Sequence, residues 1–320
     1  MTARRAGRVF RPAPLAAIAL ALAACLGHVA PARAANHLLA IAACPPWIVF
    51  AGEPAATRLA RRSCAATLDT IVGAVTARLD VEPAHATRLL DAAATSRGVT
   101  AALADLAGRL GPDDRLYVYV NAHGGRFAGR YKGYPVEDEA LAFWTPVRPD
   151  SDPVGPDGFM FVKTLRDLIL AVPAGQTVIV LDSCESGLGF ADFRFEPDDL
   201  VAEGRRAAVV FSSRPDQIAH FTADGRQALF TRKLALALEL FPGQRLVAAV
   251  RAAAVATHDE ARAVCALPGP AAAIGAQKRS YRAWCAQQPY AYDPYGVLDA
   301  IAIAGTAAPA GRDGVSSSAR

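Results

Sequence analysis

Aliphatic runs that stop abruptly in small polar turns recur along this chain, and each predicts a buried strand delivering its last residues to the edge of a sheet. His37-Leu-Leu-Ala-Ile-Ala-Ala43 is the first such run. Leu116-Tyr-Val-Tyr-Val120, Val178-Ile-Val-Leu-Asp182 and Ala207-Ala-Val-Val-Phe211 follow it. Between them the period changes to three or four. Leu59, Ile71, Val75 and Leu79 mark a helix over Ala56–Leu79. Val99, Leu103, Leu106 and Leu110 mark a second, which Ser96 is placed to cap and Gly111-Pro112-Asp113 ends. A weaker signal spans Val81–Ala93. Further helices are expected over Val162–Ala171 and over the strongly apolar Leu229–Leu240, which reads as core. Leu246–Ala256 reads as a helix or as a strand followed by a helix, and Val297–Ile303 as a last strand. The stretch after Val120, with Arg126, Arg130 and Tyr131, reads as a glycine-rich connection, and residues 145–159 as an irregular loop. This alternation, with no repeats and no linker from 35 to 304, predicts one three-layer α/β/α sandwich with a mostly parallel central sheet. Its site is expected outside the carboxyl ends of the strands.

The two ends of the chain fall outside that pattern. Arg4, Arg5, Arg8 and Arg11 precede the short apolar run Ala13–Leu26, and Ala32-Arg33-Ala34 offers a small-x-small cleavage pattern. The run is shorter than the roughly 20 residues of a membrane span, so residues 1–34 read as a signal peptide with Ala35 as the first mature residue. The protein is then expected to be exported, to the periplasm or the extracellular space. Leu22-Ala-Ala-Cys25 offers a second exit as a lipoprotein box, and membrane contact is expected only if Cys25 is lipidated. Gly305–Arg320 is rich in Ala, Gly and Ser and reads as a disordered tail.

Export changes the charge and the meaning of the cysteines. Five of the 34 basic residues and none of the 30 acidic ones lie in the first 34 positions, so the remaining chain carries 29 basic against 30 acidic residues. The basicity is a targeting property, and it supports neither a nucleic-acid nor an anionic-membrane partner. The mature chain keeps Cys44, Cys64, Cys184, Cys265 and Cys285. In an oxidising compartment structural cysteines tend to pair, and locality suggests Cys44 with Cys64 and Cys265 with Cys285, although sequence alone does not give connectivity. Cys184 is left over.

That leftover thiol lies in Asp182-Ser183-Cys184-Glu185-Ser186-Gly187, a polar turn that is poor core material, and His123-Gly124 closes the preceding strand in the same way. Two strand ends, one bearing His and the other Cys, set a base beside a nucleophile, as thiol acyl transfer requires. His37, His85, His220 and His258 show no metal-ligand spacing, and neither the Gly124-Gly125 nor the Gly187-x-Gly189 doublet precedes a Lys-Ser/Thr, so zinc and phosphate-loop chemistry are not expected.

From these residues the chain resembles the caspase-like cysteine peptidases (peptidase family C14), and among them the metacaspase-like bacterial members. The motifs are His123-Gly124 and Asp182-Ser183-Cys184-x-Ser186-Gly187, with Ser212-Ser213-Arg214-Pro215 and the Gly225…Leu229-Phe230-Thr231 helix entry in support, over residues 37 to about 240. A cysteine-containing insertion spans about 257–290. The resemblance implies a caspase-like sandwich and a Cys184–His123 dyad whose ion pair lowers the thiol pKa. It implies an oxyanion hole from the backbone N–H groups of Gly124 and Cys184, and substrate contacts from Asp182, Ser212 and Ser213. Asp182 would line the pocket for a basic P1 residue, Arg over Lys, or alternatively only tie down its turn. The implied activity is endopeptidase action on protein or peptide substrates, by a monomer without a cofactor, calcium dependence being left open by some relatives. Glu185 stands where that branch commonly has His, and is expected to face solvent or substrate rather than the sulfur. Two other readings share the same residues: a peptidase-derived binding protein with weak or no turnover, and a Cys-His esterase or amidase acting on small acyl substrates.

Overall fold

A computed structural model describes residues 34–45, 54–131, 134–145, 158–193, 204–266 and 285–305, with side chains of 54–61 and 127–136 excepted. The expected signal peptide and Cys25 box, most of the expected loop over 145–159 and nearly all of the expected tail over 305–320 lie outside these residues.

Four strands carry the architecture: β1 (Asn36–Ala42), β3 (Arg115–Asn121), β7 (Gln176–Asp182) and β8 (Arg206–Phe211). They run parallel in a six-stranded sheet of order β2-β1-β3-β7-β8-β9, in which β2 (Val81–Leu90) is a parallel edge and β9 (Tyr290–Tyr292) an antiparallel one. Because side chains alternate across a strand, each run of apolar residues feeds two cores at once. Leu38, Ala40, Tyr117, Tyr119, Val178, Ala208 and Val210 face helices α1 (Pro54–Arg78), α4 (Leu229–Leu240) and α5 (Leu246–Ala266). Leu39, Ile41, Val118, Val120, Ile179, Leu181 and Val209 face α2 (Ser96–Arg109) and α3 (Val162–Leu170). The molecule is therefore a three-layer α/β/α sandwich around a mixed, mostly parallel sheet. Among the described residues no helix is long and apolar enough to cross a membrane.

Five local readings change. The weak signal after residue 80 is strand β2, an edge strand that tolerates Glu82, Pro83 and Arg88 because one side of it needs no partner. Thr95, not Ser96, caps α2: the Thr95 hydroxyl accepts the Gly98 N–H at 2.9 Å, and Ser96 is already helical. The glycine-rich connection is strand β4 (His123–Tyr131), paired antiparallel with β5 (Tyr134–Ala142) from His123↔Ala142 to Tyr131↔Tyr134, and β6 (Phe159–Phe161) completes this second sheet. Glycine argues against a strand locally, so here the partner decides the conformation. Val297–Ile303 is not a strand. Gly296 takes a left-handed φ of 65°, and the Asp293 carboxylate accepts the N–H groups of Val297 and Leu298 at 2.7 and 2.9 Å. Those contacts nucleate the short helix α6 (Val297–Ala300). α5 continues past residue 256 to Ala266, so the start of the expected insertion is a helix extension.

Candidate active site

Register builds the site. In the β3–β7 ladder Asn121 stands opposite Asp182, and in the β1–β3 ladder Ala42 stands opposite Asn121. Cys44, His123 and Cys184 thus each lie two residues beyond the same level of the sheet. All three line one pocket, together with Asn121, Asp182 and His220.

The loop that carries Cys184 is held from β8. Ser212 and Ser213 are fully buried. Their hydroxyls donate to the Ser183 carbonyl at 3.3 and 3.0 Å, and Ser213 Oγ accepts the Ser186 N–H at 3.1 Å. Both serines, expected to contact substrate, are engaged here in positioning the nucleophile loop. Glu185 takes a left-handed φ of 55°, and its N–H donates to Gln217 O at 2.7 Å. Gly124 packs directly on this loop. A Cβ there would come within 2.5 Å of the Cys184 carbonyl oxygen and 2.9 Å of Ser183 Oγ, so only glycine lets β4 approach.

The electrostatics oppose an ion pair at rest. Burial pushes the Cys184 thiol up to about 11, with the Glu185 and Asp182 charges adding to it, against a lowering contribution from the Ala219 N–H that approaches Sγ at 3.4 Å. Burial brings the His123 imidazole down to about 4. Both shifts run against the expected pairing of thiolate with imidazolium and favour a neutral thiol beside a neutral imidazole. Glu185, expected to face solvent or substrate, carries a charge that disfavours the thiolate.

Asp182 is buried beside these groups. Its Oδ2 accepts the Thr231 hydroxyl at 2.5 Å and faces Tyr119 Oη at 3.5 Å, and the Thr231 N–H in the first turn of α4 also favours its charged form. Desolvation nonetheless raises its pKa. The Ser212 hydroxyl lies close but commits its proton to Ser183, and Asp182 Oδ1 has no hydrogen-bond partner. The carboxylate ties its turn to α4 with one oxygen and leaves the other unsatisfied.

The cysteines outside the loop are joined as Cys44–Cys64, with Cα atoms 6.3 Å apart, and Cys265–Cys285, with Cα atoms 5.9 Å apart. Cys184 is the free thiol among the described residues. Beside β5, Lys163 bridges Asp138 and Asp192. Of the pocket residues, Asn121 and Ala219 were not singled out by sequence reading, and His220 was set aside for want of metal-ligand spacing. Only Asn121 carried a local signal, since it ends the strand before His123.

No protein-family model matches the chain, and no curated protein matches it. Among solved structures it is similar to protein GSU0716 from Geobacter sulfurreducens, at 17% identity and TM-score 0.47 over 86% of this chain and 96% of that one. It is also similar to caspase-1 from Spodoptera frugiperda, at 12% identity and TM-score 0.45 over 82% of this chain and 86% of that one, and to the pro form, at 11% identity and TM-score 0.44 over 82% and 88%. Likenesses this weak carry no information about chemistry, which rests on the chain's own residues.

Proposed function

We propose that this chain is an exported cysteine endopeptidase of the caspase-like type that cleaves after basic residues. The observation that carries the reading is the in-register β3–β7 pairing, which brings Cys184, His123 and the half-satisfied Asp182 around one pocket. Cys184 Sγ attacks the scissile carbonyl while His123 takes the thiol proton and later delivers it to the leaving amine. Water then hydrolyses the thioester. The N–H groups of Gly124 and Cys184 receive the oxyanion, where one donor is worth roughly 3 kcal/mol.

Asp182 supports the P1 assignment because a buried carboxylate oxygen without a partner favours a cationic side chain. With Oδ2 engaged by Thr231, a P1 guanidinium meets mainly Oδ1, so Arg is preferred over Lys by less than a fully bidentate pair would give. The same cation screens a charge that holds the thiol up, so a basic substrate eases its own attack. The two disulfides support an oxidising compartment.

A positional peptide library tests this. Wild type is expected to turn over Arg and Lys at P1, with Cys184→Ala and His123→Ala inactive and folded by circular dichroism. Asp182→Asn should lose most activity on basic P1 while its thiol still alkylates. An Asp or apolar P1 preference sinks the pocket assignment. The raised thiol and lowered imidazole favour one other reading, a binding protein built on the same groove. Peptide binding without turnover in wild type would select it, and turnover confined to small esters would select an esterase instead.

A further inference from the structure

Three ligand-type side chains converge where the segment after β8 meets the end of α5. His220 Nε2 donates to the Cys285 carbonyl oxygen at 2.6 Å, and it lies 3.8 Å from Cys265 Sγ and 3.7 Å from Cys285 Sγ. The three ligand atoms lie within 4.8 Å of one another, and both cysteines are buried. A tetrahedral zinc ion, with Zn–S about 2.3 Å and Zn–N about 2.0 Å, holds its sulfur and nitrogen ligands about 3.6 Å apart. The two nitrogen–sulfur separations already approach that edge length. Reduction opens the sulfur–sulfur distance, and the Cys285 carbonyl turns off Nε2 to free its lone pair for the ion.

We propose that reduction of the Cys265–Cys285 disulfide converts this clasp into a zinc site held by two thiolates and His220 Nε2, with the fourth position left to water. Two thiolates and an imidazole are a donor set that suits Zn(II) over Mg(II) or Ca(II). The imidazole binds the ion in its neutral form. The exchange balances with a thiol reductant. The disulfide, two RSH and Zn(II) give the zinc dithiolate, RSSR and two protons, while the imidazole proton moves from Nε2 to Nδ1. An oxidising disulfide reverses the step and releases the ion. The backbone frame persists through it, because the His220 N–H is held independently by Gln287 Oε1 at 2.9 Å, and Gln287 Nε2 donates to Ser212 O at 2.9 Å.

Cys44, Cys64 and Asp91 form a second grouping of ligand atoms, so the test must separate the two. The mature chain in a Cys184→Ala background, reduced with a phosphine under inert gas, is titrated with Co(II) and back-titrated with Zn(II). Expected is one equivalent with a thiolate-to-cobalt charge-transfer band, absent from the oxidised protein. His220→Ala leaves both disulfides able to form and should weaken that equivalent by more than the roughly 100-fold typical of losing a residue that merely supports a ligand. Asp91→Ala should leave it unchanged. Binding that ignores His220→Ala, that follows Asp91 instead, or that persists in the oxidised chain overturns the proposal, as does the absence of a thiolate band.

Discussion

Cys184 and His123 sit in the same pocket yet both are held neutral, and the causes are separable. Desolvation dominates for each, and Glu185 adds a like charge beside the sulfur. Iodoacetamide should therefore label Cys184 more slowly than a free thiol at pH 7, with a rate that inflects near pH 11. Glu185→Gln should move that inflection down. An inflection near pH 6 would mean the ion pair exists after all. The free-enzyme pH profile of kcat/KM should correspondingly lose its acid limb near pH 4 rather than 6.5. A second buried acid behaves differently. Glu139 on β5 is fully enclosed, with Gly189 close by but neither carboxyl oxygen completing a hydrogen bond, and burial raises its pKa well above 4.5. The folded state then binds a proton that the unfolded state has released, so stability is full below pH 4.5 and falls as pH rises toward the folded value. Glu139→Gln removes that dependence. Calorimetry should find Tm unchanged near pH 4.5 and raised by a few degrees at pH 8, where each kcal/mol is worth about 2–4 °C.

At the scale of elements, the nucleophile loop is a piece of irregular backbone clamped between two strands. β4 closes it from one side through Gly124 and β8 from the other through Ser212 and Ser213. Gly124→Ala pushes a methyl group into the Cys184 carbonyl. A misplacement of about 1 Å at a reacting group can cost about 100-fold, so kcat/KM should fall at least that far with circular dichroism unchanged. Full activity in this variant would mean that the β4 approach is not required. Ser213→Ala strands the Ser186 N–H and costs about 1–3 kcal/mol in urea unfolding. The antiparallel β4–β5 arm was hidden in the sequence because Gly124, Gly125 and Gly129 read as a connection, whereas Leu229–Leu240 was plain because its apolar residues repeat at helical spacing.

On the scale of the whole molecule, Cys44–Cys64 ties the end of β1 to α1 across a 20-residue separation. Closing a loop of that size stabilises by about 3 kcal/mol in the chain-entropy estimate. The paired substitution Cys44→Ser with Cys64→Ser should lower the urea midpoint accordingly. It should also depress turnover, because Cys44 lines the pocket. An unchanged midpoint would show that the bond contributes nothing. What the sequence determined by itself is the parallel sheet and the two strand ends at which His123 and Cys184 stand, because strand periodicity and polar turns are local signals. Tertiary structure decided the rest. It buried Ser212 and Ser213 under the loop, set the Ala219 N–H against a sulfur 35 residues earlier, left Asp182 Oδ1 unsatisfied, and carried His220 to the Cys265–Cys285 pair. Burial and charge at a site are summed over residues that meet only in space, and no pattern within one segment contains that sum.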